Sequence, residues 1–177
     1  MKYKAYYRPA SLAETESLLK TLDGPVTLFA GGTDIMVYAR EDERYAESSI
    51  VNIYGLSELQ GVTLGPDSIR IGAGVTHTQI EQSPIIRKYA NVLAMACRTV
   101  GSLQIRNHAT LAGNIINASP SADSLSALAV LDAVVEFRRN GETKTLPLAD
   151  VIENPDHTTL TDRDLVTAVI IRRLSVD

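Results

Sequence analysis

The sequence predicts an α+β chain made of two subdomains, residues 1–57 and residues 58–177. In the first, short apolar strands alternate with helical segments, and this order favours a small parallel sheet. In the second, residues 65–67 (Gly-Pro-Asp) and residues 140–141 (Asn-Gly) separate pairs of strands. Asn-Gly between two strands is the strongest short signal of an antiparallel hairpin. We expect the subdomain boundary near residues 55–60.

The elements of the first subdomain follow from its caps and apolar runs. Residues 4–8 are predicted to form a strand that ends before a proline. Ser11 is expected to cap a helix, with Glu14 at the spacing of a capping box. Residues 26–30 and 49–53 supply two further strands.

The second subdomain is predicted to combine hairpins with helices. Residues 62–64 and 68–71 form the first hairpin, and Thr76 with Gln79 makes a capping box at the start of a short helix. Residues 85–100 have the pattern of one helix. The remaining predicted elements are a helix over residues 121–133, strands over 134–139 and 142–146, and a final strand over 164–172.

Residues 99–123 organise the chain and are expected to lie outside regular structure. Glycines and a proline interrupt this stretch, and short polar side chains recur at spacings of two or three residues: Asn114, Asn117, Ser119 and Ser121. Glycine permits close backbone approach, and Asn and Ser bind polar ligands or the local backbone. The stretch is therefore either a ligand loop or only a long ordered loop.

Residues 31–34 (Gly-Gly-Thr-Asp) follow a buried strand and precede a predicted helix start. Backbone amides in such a turn can cradle a phosphate, although a plain strand-to-helix turn explains the tetrapeptide equally well. Thr33 adds a hydroxyl donor. Asp34 would repel a phosphate, so we expect it to cap the helix or to contact a ribose hydroxyl. The Gly-Lys-Ser/Thr ending of a Walker loop is missing.

Composition narrows the function. Hydrophobic residues make up 45% of the chain, charged residues 21%, and the net charge is -4, which argues against nucleic acid and anionic membranes as partners. No run approaches the ~20 apolar residues that span a bilayer, and the N-terminus lacks a secretion signal, so we expect a cytoplasmic protein. The single cysteine, Cys97, excludes an internal disulfide and indicates a reducing compartment.

The sequence offers little chemistry of its own. An iron–sulfur cluster needs about four thiolates, and the three histidines are scattered, so we expect no metal site in this chain. Cys97 is expected to be a small buried residue, and His108 to be structural or to face solvent. Polar binding loops without a nucleophile–base pair or a carboxylate dyad indicate that a cofactor does the chemistry, and a cofactor that carries a diphosphate would suit the Gly-Gly turn.

Both loops resemble those of the FAD-binding subunits of molybdenum hydroxylases, the xanthine dehydrogenase subunits most of all. Residues 29–35 (FAGGTDI) look like that family's first flavin loop, and residues 104–123 (QIRNHATLAGNIINASPSAD) look like its second. Residues 7–12, 69–72 and 164–166 also fit. The resemblance implies a PCMH-type (CO-dehydrogenase-flavoprotein-type) fold with non-covalent FAD held between its two subdomains.

Carried over by position, the resemblance assigns roles to this chain. Residues 28–35 would wrap the pyrophosphate through backbone amides, and residues 110–114 would contact its other side and the ribitol. Two polar positions would contact the flavin or adenosine part, and two valines would line the cofactor. The implied set is Leu28, Phe29, Ala30, Gly31, Gly32, Thr33, Asp34, Ile35, Val100, Thr110, Leu111, Ala112, Gly113, Asn114, Asn117, Asp123 and Val166.

The implied activity is electron transfer within a hetero-oligomer. A molybdopterin-containing catalytic subunit oxidises the substrate, a [2Fe-2S] subunit relays the electrons, and the flavin subunit passes them to NAD or another acceptor. Because this chain lacks the cysteines for clusters, those partners must be separate chains.

Three departures from the family pattern bear on this interpretation. Ala112 stands where the family has the first glycine of Gly-Gly-Asn, so its methyl is expected to crowd a phosphate oxygen. Residues 154–158 (Asn-Pro-Asp-His-Thr) replace Gly-Pro-Gly-Lys-Thr, which removes a lysine. The family's C-terminal domain is expected to be lacking, which would weaken FAD binding.

Two alternatives stay open. In the first alternative, the chain is a truncated or degenerate nucleotide-binding scaffold that does not turn over. In the second, it is a stand-alone flavin reductase or oxidase. Bound flavin separates the first alternative from the electron-transfer subunit. Co-purification with cysteine-rich and molybdenum-containing chains separates the second.

Overall fold

The computed structural model describes residues 2–39 and 45–175. Within these ranges the strands are β1 (Ala5–Tyr7), β2 (Val26–Phe29), β3 (Ser49–Asn52), β4 (Val62–Leu64), β5 (Ser68–Gly72), β6 (Val134–Arg139), β7 (Glu142–Pro147), β8 (Ile152–Asn154), β9 (His157–Thr158) and β10 (Leu165–Arg172). The helices are α1 (Leu12–Thr21), α2 (Ile35–Tyr38), α3 (His77–Gln82), α4 (Pro84–Tyr89), α5 (Asn91–Thr99), α6 (Leu103–Arg106), α7 (Leu111–Asn117), α8 (Asp123–Val130) and α9 (Leu148–Val151).

The N-terminal part forms the predicted parallel sheet. Its strand order is β1-β3-β2, and both pairings are parallel. Ser11 caps α1 by accepting a hydrogen bond from the amide of Glu14 at 3.1 Å. The second half of the expected capping box is displaced by one residue, because the Glu14 carboxylate accepts from the amide of Ala10 at 2.7 Å.

A five-stranded antiparallel sheet forms the second part, in the order β4-β5-β10-β6-β7. Both predicted hairpins are confirmed as β4–β5 and β6–β7. Asn140 and Gly141 adopt positive φ angles of 55° and 88°, as the tight turn between β6 and β7 requires. The final strand, β10, lies at the centre and pairs with both β5 and β6.

Two helix predictions need correction. The single helix expected over residues 85–100 is two helices, α4 and α5, because Ala90 leaves helical geometry at φ -152° and ψ 46°. Residues 99–123 are not mainly irregular, since they contain α6 and α7. Ser102 and Thr110 cap these helices by accepting from the amides of Ile105 and Gly113. The β8–β9 hairpin and α9 were not predicted.

The two sheets share one hydrophobic core. Leu19, Val26 and Val51 from the N-terminal part belong to the same buried cluster as Ile69 and Val169 from the five-stranded sheet. Polar contacts reinforce this packing. The Arg138 guanidinium donates to Glu16 on α1 at 2.9 and 3.2 Å, and Arg163 donates to the carbonyls of Leu19 and Gly24. The orientation of the two parts is therefore held by buried area and by arginine contacts.

None of the helices in the described ranges has the length and apolarity needed to cross a membrane.

Candidate functional site

The first loop, residues 29–35, leaves the carboxyl end of β2 beside the end of β3. Phe29 lies opposite Asn52 in the parallel register. Ligands of open parallel sheets bind outside the carboxyl ends of the strands. Gly32 has a φ of +70°, and a Cβ there would meet the Phe29 ring at 2.2 Å, so only glycine fits this turn.

Gly31 brings the two predicted loops together. A Cβ on Gly31 would lie 2.0 Å from the carbonyl oxygen of His108 and 3.1 Å from Cα of Ala109. The backbone of the first loop therefore packs directly on the backbone of the second loop, residues 104–123. This contact is possible only because Gly31 has no side chain.

Backbone amides at this junction have no partner among the described residues. Among bonds between described residues, the amides of Gly31, Gly32, Thr33 and Asp34 donate none, and all four residues are half-buried. Unpaired amides in a glycine turn are what a phosphate cradle needs. The geometry therefore fits a diphosphate group.

Asp34 was expected either to cap α2 or to contact a ribose hydroxyl, and its side chain does not cap the helix. Its side chain makes no capping hydrogen bond, and its backbone is already helical at φ -84° and ψ -45°. The helix that follows is only four residues long. Partial burial raises the pKa of Asp34 above its ordinary value. The contact with a ribose hydroxyl remains a prediction.

The second loop is held on its other side by residues 75–77. The amide of His77 donates to the Ala109 carbonyl at 3.0 Å, and the amide of Leu111 donates to the Val75 carbonyl at 3.1 Å. Thr76 and Thr110 form an isolated antiparallel bridge. The second loop thus packs against Gly31 on one side and is hydrogen-bonded to the backbone before and at the start of α3 on the other.

The start of α7 differs from the expectation for Ala112. Ala112 is buried, with 6% of its surface exposed, and belongs to the hydrophobic core. Its methyl group is therefore packed inside the protein. Asn114 is half-buried, and its Oδ1 accepts a hydrogen bond from Ser124 at 2.5 Å, which joins α7 to α8.

The remaining predicted residues differ in how far they are buried. Asn117 is half-buried and Asp123 exposed, and among described residues neither side chain has a hydrogen-bond partner. Val100 is half-buried before α6, whereas Val166 is buried in β10 opposite Phe137. Leu111 is fully buried, and its backbone amide is already bonded to the Val75 carbonyl.

Sequence reasoning missed an aromatic pair beside the junction. The rings of Tyr54 and His108 lie 6.2 Å apart, and both residues are exposed. Tyr54 follows β3, and its amide donates to Asn52 Oδ1 at 2.9 Å. No spacing rule links the two residues, because they lie on different loops.

A buried polar cluster lies behind the second loop. His77 and Cys97 are fully buried, and His77 Nδ1 lies 3.3 Å from Cys97 Sγ. Burial, with a smaller contribution from the charge of Arg106, lowers the pKa of His77 to about 4. Burial, with a smaller contribution from Glu81, raises the pKa of the Cys97 thiol to about 12.

We expect the Cys97 thiol to be inert in the folded chain. A pKa of about 12 reduces the reactive thiolate roughly a thousandfold at neutral pH, and burial excludes the reagent as well. Titration with a chromogenic disulfide reagent should modify no thiol under native conditions and one thiol per chain in denaturant. Rapid native modification would show that the helix around Cys97 opens readily.

We expect His77 to make the chain acid-sensitive. Because its folded pKa is about 4 against an ordinary 6.5, the unfolded chain binds the extra proton first as the pH falls. The contribution of His77 to the free energy of unfolding is complete above pH 6.5 and is lost as the pH falls towards 4. The free energy of unfolding should therefore fall by about 2 kcal/mol between about pH 7 and about pH 5.

Urea unfolding at both pH values measures this difference, and His77→Gln should remove most of it. Cys97, which contacts the His77 ring, is unchanged in that variant, and so are Glu81 and the two arginines that pair with it, Arg98 and Arg106. An equal pH dependence in the wild type and the variant would contradict the assignment.

Two surface cavities lie away from the loops. One of about 270 Å³ is lined by residues of β1 and α1, and one of about 350 Å³ lies between α1 and the β6–β7 turn. None of the residues implied by the resemblance lines either cavity. Within the described residues, no group of three or more His, Cys, Asp or Glu side chains has the arrangement of a metal site.

The sequence is similar to a known protein family over nearly its whole length. The family model described as the FAD binding domain in molybdopterin dehydrogenase matches residues 1–173. A putative xanthine dehydrogenase FAD-binding subunit of Escherichia coli K12 is 35% identical over 169 residues, 94% of this chain and 56% of that protein. A nicotinate dehydrogenase FAD-subunit of Eubacterium barkeri is 34% identical over 178 residues, 98% of this chain and 60% of that protein.

The chain thus spans less than two thirds of the length of these relatives. Among solved structures, a carbon monoxide dehydrogenase from Hydrogenophaga pseudoflava matches with a TM-score of 0.91 at 21% identity, over 99% of this chain and 61% of that chain. At this identity the match establishes the fold, and the predicted fold class is confirmed.

Proposed function

The chain belongs to the family of FAD-binding domains of molybdopterin dehydrogenases, and from this premise we propose that it is the electron-transfer flavin part of a xanthine dehydrogenase-like molybdenum hydroxylase. FAD is its cofactor. In this proposal electrons arrive from a [2Fe-2S] partner subunit and leave to NAD or another acceptor. A molybdopterin-containing subunit carries the substrate chemistry, and the complex works in the cytoplasm.

The contact of Gly31 with the backbone of His108 and Ala109 is the observation that carries the proposal. It joins a glycine turn, whose amides have no partner among the described residues, to a second polar loop, and no metal-binding cluster is found in the described part of the chain. When bound, FAD supplies the reversible electron storage that these side chains lack. The protein supplies binding and orientation.

The proposal gives the two loops distinct tasks. Backbone amides of residues 28–35 hold the diphosphate, with Thr33 as an added donor. Residues 110–114 contact its other side and the ribitol, and Asn117 and Asp123 contact the flavin or adenosine part. Val100 and Val166 contribute apolar surface. The division into residues 1–57 and 58–177 belongs to the same proposal, with the cofactor between the two parts.

Absorbance spectra of the purified chain test the cofactor assignment. After incubation with FAD and gel filtration, flavin bands should co-elute with the protein. Riboflavin, which has the same ring without the diphosphate, should be lost. Equal retention of riboflavin would contradict the role of the glycine loop. Loss of both would favour the alternative of a scaffold that does not turn over.

Electron transfer needs a separate experiment on the assembled complex. The chain should co-purify with a cysteine-rich chain and a molybdenum-containing chain when the three are produced together. Substrate should then bleach the flavin absorbance, and NAD should restore it. Flavin reduction that occurs without the partner chains would instead indicate a stand-alone reductase.

A further inference from the structure

The aromatic pair beside the loop junction is exposed, and none of the contacts described so far gives it a role. Tyr54 keeps 40% of its surface exposed and His108 is exposed as well, with ring planes tilted by 40° and centroids 6.2 Å apart. Among the described residues, the Tyr54 hydroxyl and the His108 ring nitrogens make no hydrogen bond. Single exposed rings are ordinary, but two rings in contact form a surface on which a planar group can stack.

Both residues adjoin the first loop. The amide of Ile53 donates to the Phe29 carbonyl at 2.9 Å, so Tyr54 directly follows a residue that is bonded to the start of this loop. His108 meets the loop through its own carbonyl oxygen, which packs on Gly31. The pair therefore lies beside the turn whose amides have no partner among the described residues.

Hydrogen bonds hold the backbone of both residues in place. The Tyr54 amide donates to Asn52 Oδ1 at 2.9 Å, and Asn52 Nδ2 donates to the Tyr6 hydroxyl at 2.6 Å. The amide of His108 donates to the Ile105 carbonyl at 3.0 Å. A surface whose backbone is fixed before the ligand arrives loses less conformational entropy on binding.

The position of the pair favours the adenine end of FAD over the flavin end. Adenine is joined to the diphosphate through one compact ribose ring, whereas isoalloxazine is joined through the longer, open ribitol chain. A ring surface directly beside the diphosphate turn is therefore within reach of adenine. Aromatic side chains stack on bases because every base has a π-face. The hydroxyl of Tyr54 and the ring nitrogens of His108 can also pair with the nitrogens and the amino group of adenine.

We propose that Tyr54 and His108 form the adenine subsite of this chain, with the purine ring of FAD stacked against their rings. The assignment rests on the proposed function, since it takes the diphosphate to lie on the amides of residues 31–34. The pair binds the end of the cofactor that undergoes no chemistry and takes no part in electron transfer.

Three ligands and three variants test the subsite by equilibrium dialysis. ADP carries adenine and the diphosphate, whereas FMN carries isoalloxazine and a single phosphate. We expect Tyr54→Leu to bind FAD and ADP about tenfold more weakly and FMN unchanged, and Tyr54→Phe to bind all three within about threefold of wild type. Tyr3→Leu is the matched control, because Tyr3 is 48% exposed and its ring contacts Tyr6 instead. This control should bind all three ligands as the wild type does.

Tyrosine fluorescence gives a second measurement that does not depend on flavin. The chain has seven tyrosines and no tryptophan, so its emission comes from tyrosine alone. ADP should quench part of this emission in the wild type, and Tyr54→Leu should abolish the quenching.

The outcomes separate the subsite from the proposed function. Weaker FMN binding by Tyr54→Leu, with ADP binding unchanged, would place the flavin ring on the pair and overturn the subsite. Unchanged affinities for FAD and ADP would also overturn it, while the proposed function would stand. A wild-type chain that binds ADP through Tyr54 but does not retain FAD would keep the adenine subsite and overturn the proposed function. Failure to bind either nucleotide would overturn both.

Discussion

Replacing Gly31 with alanine should destabilise the chain by about 3 kcal/mol and weaken FAD binding on the order of a hundredfold. The added methyl would lie 2.0 Å from the His108 carbonyl oxygen, so one of the two loops must move by more than an ångström. Both loops supply the proposed diphosphate contacts, and a displacement of that size misplaces the backbone donors. Urea unfolding and FAD titration of the variant measure the two effects.

Gly65→Ala is the matched control. Gly65 lies in the β4–β5 turn without a positive φ, and its added methyl would lie 3.2 Å from the Ser68 carbonyl oxygen. Small relaxation accommodates that contact, so stability should change by less than about 1 kcal/mol and FAD affinity should stay the same. Wild-type FAD affinity in Gly31→Ala would show that the junction of the loops is not part of the site.

Asp164→Ala should lower the free energy of unfolding by about 3 kcal/mol. The Asp164 side chain is fully buried and accepts from Arg139 at 2.6 and 2.5 Å and from Thr161 at 2.7 and 3.0 Å. Burial alone would raise the pKa of Asp164, but these hydrogen bonds outweigh it and lower the pKa below 3.8. Removal of the carboxylate leaves Arg139 and the Thr161 amide without their acceptor at the start of β10.

Chemical denaturation at neutral pH measures this loss, with Glu142→Ala as the control. Glu142 makes a 3.7 Å ion pair with Lys144 on the surface, where such pairs contribute little, so its loss should change stability by less than about 0.5 kcal/mol. Because the folded pKa of Asp164 is lowered, its contribution is present above pH 3.8 and is lost as the pH falls further. Equal losses in the two variants would show that Asp164 is not a special anchor.

Local signals were sufficient for most individual elements. The Asn140–Gly141 turn, the Thr76–Gln79 capping box and the strand before Gly31 are each decided by a few neighbouring residues, and the structure confirms them. Local reasoning was wrong in residues 99–123, where Gly113 obscured a short helix. Thr110 caps that helix, and tertiary packing of Leu111 and Ile115 outweighs the low helix propensity of glycine.

The family resemblance and the two loops that carry it were readable from the sequence by itself, because residue type and spacing encode turns, caps and backbone freedom. Only the tertiary structure decided which groups meet. The contact of Gly31 with His108, the pairing of Tyr54 with His108 and the contact of His77 with Cys97 join residues far apart in the chain. Burial of a shared core brings these groups together, and no local pattern encodes that event.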